Sequence, residues 1–160
     1  MTLPFNEMPA NSRIWIYQSD RKLNDSELDQ IKLKLTDFLK NWTAHGDDLK
    51  SSFEIRYDRF IIIALNEKSA KASGCSIDAC VHFIQQIEKD YNISLLDKMN
   101  VAFKQGEYVS YKSIVEFKSL IKNNSVSKNT IVFNNLVLDI GDYKNNWEVP
   151  ACKSWHSRFF

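Results

Sequence analysis

Cys75, third residue of the run SGCSIDACVHFIQQIEKDY, is the side chain best placed to do chemistry. A Gly-Cys pair that opens a strongly periodic helix would leave this thiol at the positive end of the helix dipole, where a thiolate nucleophile is stabilised. A Cys-His nucleophile also needs an imidazole to take the proton, a group to orient that ring, and donors for the developing oxyanion. His45 is the available imidazole, with Asp78 or Asp47 to orient it. The plainer alternative is a tight strand-to-helix connection carrying a small, half-buried thiol.

Other chemistries find less support. Metal binding needs several ligands at short spacing or on convergent loops. Cys152 and His156 bracket the segment CKSWH, and His45 precedes Asp47 and Asp48, but neither set has a second half of the CxxC or HExxH kind. No metal and no cofactor are expected, and His82, beside the apolar stripe of its helix, reads as a surface histidine. Gly46, Gly74, Gly106 and Gly141 never fall in the GxxxxGK[ST] register that cradles phosphates, which excludes a P-loop ATPase.

The elements that must hold Cys75 and His45 follow from periodicity. Residues 13–18 alternate and are rich in strand formers. Asn24 and Glu27 resemble a capping box, after which Leu28, Ile31, Leu35, Phe38 and Trp42 form one apolar stripe. Residues 43–48 read as a loop. Phe53, Ile55 and Tyr57 alternate with charged residues, and 60–65 is apolar on both parities, so these segments predict a hairpin whose second strand is central. A second helix over about 76–91 carries Ile77, Cys80, Val81, Ile84 and Ile87 on one side, with Ser73 or Ser76 capping its start. Residues 100–104 read as a fourth strand, 111–122 as a helix, 130–133 as a strand running on toward 138, and Gly141-Asp142 as a turn.

Strand, helix, strand, strand, helix, strand is the βαββαβ order of a ferredoxin-like core. The expected architecture is one α+β domain, with a core over about 13–104 and a carboxy-terminal extension over about 107–160 that covers the second sheet face. Strand directions then bring the His45 loop, the Cys75 loop and the end of the fourth strand to the same end of the sheet. Trp42, Thr43, His45, Asp47, Ser73, Cys75, Ser76, Asp78 and Lys104 would line one concavity there.

With 160 residues and 44% hydrophobic content, the chain is long enough for one real core. A formal net charge of +1 with interspersed signs predicts little attraction to nucleic acid or to a membrane. Trp15 and Tyr17 on the first strand would be the only stacking platform for RNA, and the tail is expected to cover them. The amino terminus has no basic segment followed by an apolar run, and three cysteines without framework spacing read as reduced thiols, so a cytoplasmic protein is expected. The aromatic tail, Trp147 through Phe160, is a possible surface for a partner or a second copy.

The segments WIYQSDRKLNDSE, NWTAHGDDLKSSFEIRY, SGCSIDACVHFIQQIEKDY and VPACKSWHSRF together resemble a small bacterial protein family of unknown function. Members sometimes carry the label "ABC transporter ATPase", an activity for which this chain has no phosphate-binding motif. The resemblance implies a stand-alone bacterial protein and brings no catalytic residues with it. The reading reached from the residues is a protein that binds a small ligand or a partner segment around His45 and Cys75. A thiol enzyme using Cys75 and an interaction module using the tail are the alternatives.

Overall fold

Alternating strand formers build β1 (Arg13–Gln18), and the capped apolar stripe builds α1 (Asp25–Lys40). Two short strands follow, β2 (Thr43–Ala44) and β3 (Asp47–Asp48), then β4 (Lys50–Arg56), β5 (Phe60–Asn66) and α2 (Gly74–Tyr91). The later elements are β6 (Asn100–Gln105), β7 (Tyr108–Ser113), α3 (Ile114–Lys122), β8 (Ile131–Phe133), α4 (Ile140–Asn146) and β9 (Glu148–Pro150), before a tail of short 3-10 turns. This computed structural model describes Met1–Phe160. It is a mixed α/β fold with four helices and three antiparallel sheets, and no helix is long and apolar enough to cross a membrane. The chain divides into two units, Met1–Leu96 with Leu138–Ile140, and Asp97–Val137 with Gly141–Phe160.

In the first unit, β5 lies between β1 and β4, antiparallel to both. Its central place explains an apolar run on both parities, and Phe60 through Leu65 are all fully buried. The β4–β5 turn places Tyr57 and Asp58 at φ of 56° and 52°, the twist that a tight hairpin requires. One sheet face packs Tyr17, Ile61, Ile63 and Leu65 against Leu28, Ile31, Leu35 and Leu39 of α1 and Cys80, Ile84 and Ile87 of α2. The aromatic platform of Trp15 and Tyr17 is therefore covered by these helices. Asn24 and Glu27 form the expected capping box, and the same Glu27 carboxylate takes two hydrogen bonds from Arg21, at 2.8 and 2.7 Å. Arg21 beside it holds the Glu27 carboxyl down at about 2, with the Asn24 backbone N–H adding to the effect. Arg21 also donates to the carbonyl of Tyr91, joining the start of α1 to the end of α2.

The fourth strand departs from expectation. Residues 100–105 do form a strand, but β6 pairs with β7 and β8 in another sheet, so the first unit holds three of the four strands of a ferredoxin-like core. The outer edge of β1 is met instead by Leu138–Ile140, where Ile14 N–H donates to Leu138 and Ile140 N–H to Ser12. The physical reason is proximity along the chain. Gly106, at φ of 63°, closes a tight turn between Gln105 and Tyr108, so β6 finds a neighbour within a few residues. The alternation in YVSYKS marks β7, so residues 111–113, expected to open a helix, are strand, and α3 starts at Ile114.

The second unit orders its sheet β7-β6-β8-β9. Val101, Phe103, Phe117, Val126, Val132 and Ala151 form its core, with Trp155 and Phe159 packed against them. Trp155 and Phe159 thus tie the end of the tail into this unit. Gly141-Asp142 opens the short helix α4 rather than a turn. His156 is buried, hydrogen-bonded to Ser154 at 2.7 Å and stacked on Trp155 at 3.9 Å, while Cys152 is exposed.

Burial, reinforced by the Arg158 charge, pushes the His156 imidazole down to about 4 from its ordinary 6.5. The unfolded chain therefore binds a proton between pH 6.5 and about 4 that the folded chain refuses. Stability is full above that window and falls as pH drops through it, by on the order of 3 kcal/mol. Urea unfolding from about pH 7 to about pH 4 should show this loss. His156→Gln, uncharged throughout, should lower stability near neutrality and flatten that part of the pH slope; an unchanged slope would contradict the assignment.

Candidate functional site

Three pieces of the first unit converge at one end of the helical layer: the last turn of α1, the short hairpin after it, and the first turn of α2. The chain leaves α1 at Asn41 and drops Trp42 into the core at 3% exposure. The Trp42 indole N–H donates to the carbonyl of Ser76 in α2 at 2.8 Å, and its ring meets Trp15 edge-on at 6.0 Å. Residues 43–48, read as a loop, form the β2–β3 hairpin. His45 and Gly46 sit at its tip with φ of 52° and 83°, the left-handed pair of a two-residue turn. Glycine meets that demand without a Cβ penalty.

The start of α2 is fixed by a serine-serine capping box. Ser76 N–H donates to Ser73 Oγ at 3.1 Å and Ser73 N–H to Ser76 Oγ at 2.7 Å, while the Ser76 hydroxyl donates to the Ser73 carbonyl. The N–H groups of Gly74 and Cys75, at the first two helical positions, have no acceptor within the helix.

These pieces enclose a cleft of about 590 Å³. Asp37, Phe38 and Asn41 line it from α1, Trp42, Thr43 and His45 from the hairpin, and Ser73, Cys75, Ser76 and Ala79 from α2. Phe38 is half-buried and stacks on Phe83 at 4.5 Å, nearly parallel, giving the cleft an aromatic wall. A second hollow, of about 390 Å³, is lined by residues 2–5, Thr36 of α1 and Ser52 and Phe53 of β4, and holds no charged side chain or thiol.

The cleft thus brings together Trp42, Thr43, His45, Ser73, Cys75 and Ser76. Three of these side chains are structural, and the expected serine cap of α2 is among their roles. Ser73 and Ser76 spend their hydroxyls on the helix cap, and Trp42 is a structural tie. The His45 ring and Cys75 thiol are exposed, and no hydrogen bond joins them. Asp78 and Asp47 are exposed and lie outside the lining, Asp78 one turn beyond Cys75 and Asp47 just past the hairpin tip. Neither orients His45. Lys104 belongs to β6 of the second unit, where it pairs with Glu148, since β6 does not join the first sheet.

Asp37, Phe38, Asn41 and Ala79 were missed as lining residues. Phe38 was legible only as part of the α1 stripe, and its position one turn before Trp42 was the available signal. Cys80 is the structural thiol: it is buried 3.7 Å from the Tyr17 hydroxyl, and burial pushes it up to about 11. No group of three or more metal-ligating side chains comes together.

Trp42→Phe keeps the ring but removes the donor to Ser76. It should cost about 1 kcal/mol in chemical unfolding and speed amide exchange selectively in the β2–β3 hairpin. Trp42→Ala should cost about 3–5 kcal/mol. Unaltered hairpin exchange in Trp42→Phe would show that the bond does not hold this wall of the cleft. Compared with protein-family models, with curated proteins and with solved structures, the chain has no match.

Proposed function

We propose that the first unit is a binding module whose cleft between the end of α1 and the start of α2 takes a small ligand or the end of a partner segment. The observation that carries this reading is the cleft itself. Its volume of about 590 Å³ falls in the range of small-molecule sites, and its lining combines an aromatic wall with a few polar groups. The ligand class that fits is an aromatic or apolar body bearing an acidic group. The body would rest on Phe38 and Trp42, and the acid would meet the N–H groups of Gly74 and Cys75 at the helix start. His45, at the tip of a two-residue hairpin, and Cys75, across the cleft, would contact the bound molecule from either side. Binding is preferred to thiol catalysis because the wall and hairpin serve it, whereas no hydrogen bond joins His45 to Cys75 and Asp78 falls outside the cleft. We place the protein in the cytoplasm, where its three free cysteines would stay reduced.

Two substitutions separate the parts of this reading. Ala79 is exposed on α2 and lines the cleft, so Ala79→Phe fills the space at little structural cost. A Cβ added at Gly74 meets nothing within 4 Å, so Gly74→Ala crowds the helix start without disturbing packing. Heteronuclear NMR titration with indole acetate should perturb the amides of His45, Gly74, Cys75 and Ala79. Indole acetamide should bind roughly threefold more weakly, the worth of a charge at a helix start. Ala79→Phe should abolish both titrations and Gly74→Ala should weaken the acid selectively. Perturbations elsewhere, or survival of binding in Ala79→Phe, would overturn the proposal.

A further inference from the structure

The near-neutral sequence conceals a charge concentration that exists only in the fold. In the second unit, Lys118 and Lys122 project from α3, Lys128 from the turn that follows it, and Lys153 and Arg158 from the tail, and all five are exposed. Three contacts join the segments that carry them. The Lys118 ammonium and the Arg158 guanidinium each lie 5.4 Å from the Phe159 ring, and the backbone N–H of Cys152 donates to the carbonyl of Lys128. Lys122 stands one helical turn beyond Lys118. None of the five pairs with a carboxylate, whereas Lys104 and Lys112 of the same unit do.

The patch also exposes apolar side chains. Val115, at 75% exposure, shares the α3 face of Lys118 and Lys122, and Phe160 is 45% exposed beside Phe117. Bare apolar groups among cations have no use against a phosphate backbone. Trp155, the largest ring of the tail, is already engaged, since it lies against His156 at 3.9 Å and carries Arg158 at 5.0 Å. Basic side chains interleaved with exposed aromatic and aliphatic groups are the composition of a surface that rests on an anionic bilayer.

We infer that this face of the second unit docks on the headgroup layer of an anionic lipid bilayer. The five cations meet lipid phosphates and carboxylates while Phe160 and Val115 enter the interface. Charge draws the protein to the surface, and the apolar groups make the contact more than a counter-ion effect. The attachment is reversible and salt-dependent, because five exposed charges act through a screened field.

Vesicle co-sedimentation of the full chain tests this. Vesicles of phosphatidylcholine with about 30 mol% phosphatidylserine should pellet the protein at about 0.1 M salt, and phosphatidylcholine alone should not. Each lost cation should lower partitioning about fivefold, so the triple variant Lys118→Gln/Lys122→Gln/Arg158→Gln should lose about a hundredfold. Phe160→Ser should weaken binding while the charge is unchanged. Equal pelleting on both vesicles, no pelleting on the anionic ones, or full binding by a folded triple variant would overturn the inference. So would tight binding of a short labelled DNA duplex without vesicle binding, which would reassign the patch to nucleic acid.

Discussion

One hydrogen bond organises the candidate site, the donation from the Trp42 indole to the carbonyl of Ser76. Trp42 is the first residue after the α1 cap, and Ser76 is the residue whose side chain closes the α2 cap. The bond therefore joins the end of one helix to the beginning of the other, and the β2–β3 hairpin must leave from that junction. A buried indole without an acceptor would carry the cost of an unsatisfied donor, so its ring orientation is strongly specified. The positions of Phe38, His45 and Cys75 around the cleft follow from that orientation.

Local rules carried far in the first unit because each of its elements announces itself. The Asn24–Glu27 box, the α1 stripe and the two-parity apolar run of β5 are properties of a few adjacent residues, and each appears in the fold as read. Strand directions through β5 were enough to bring the His45 and Cys75 segments to one end. What periodicity does not encode is the use of each group. Ser73 and Ser76 read in sequence both as caps and as lining groups, and the pairing of the two hydroxyls that commits them to the cap emerges only from backbone geometry. Similarly, Asp78 lies three residues from Cys75, yet the cleft takes its neighbours Ser76 and Ala79 instead.

The second unit was less legible because its pairings compete. A strand over 100–105 suits either sheet, and only the turn at Gly106 decides that β7 is its partner. Once β6 leaves the first sheet, Lys104 leaves the candidate site with it. The tail follows the same logic: Trp155 and Phe159 required burial, but the surface that buries them contains Phe117, on a helix whose start was placed too early. The cationic patch is the extreme case. Its members are spread from 118 to 158, so charge averaged along the chain cannot register it.

The central claim is that the Trp42–Ser76 tie holds open a cleft built to receive a ligand. A crystal of the protein soaked with indole acetate examines it most directly. The account predicts ligand density between Phe38 and Ala79, with the acid against the N–H groups of Gly74 and Cys75 and the indole of Trp42 still bonded to Ser76. A cleft found closed by the side chains of Phe38 and His45, with ligand density elsewhere or absent, would contradict it.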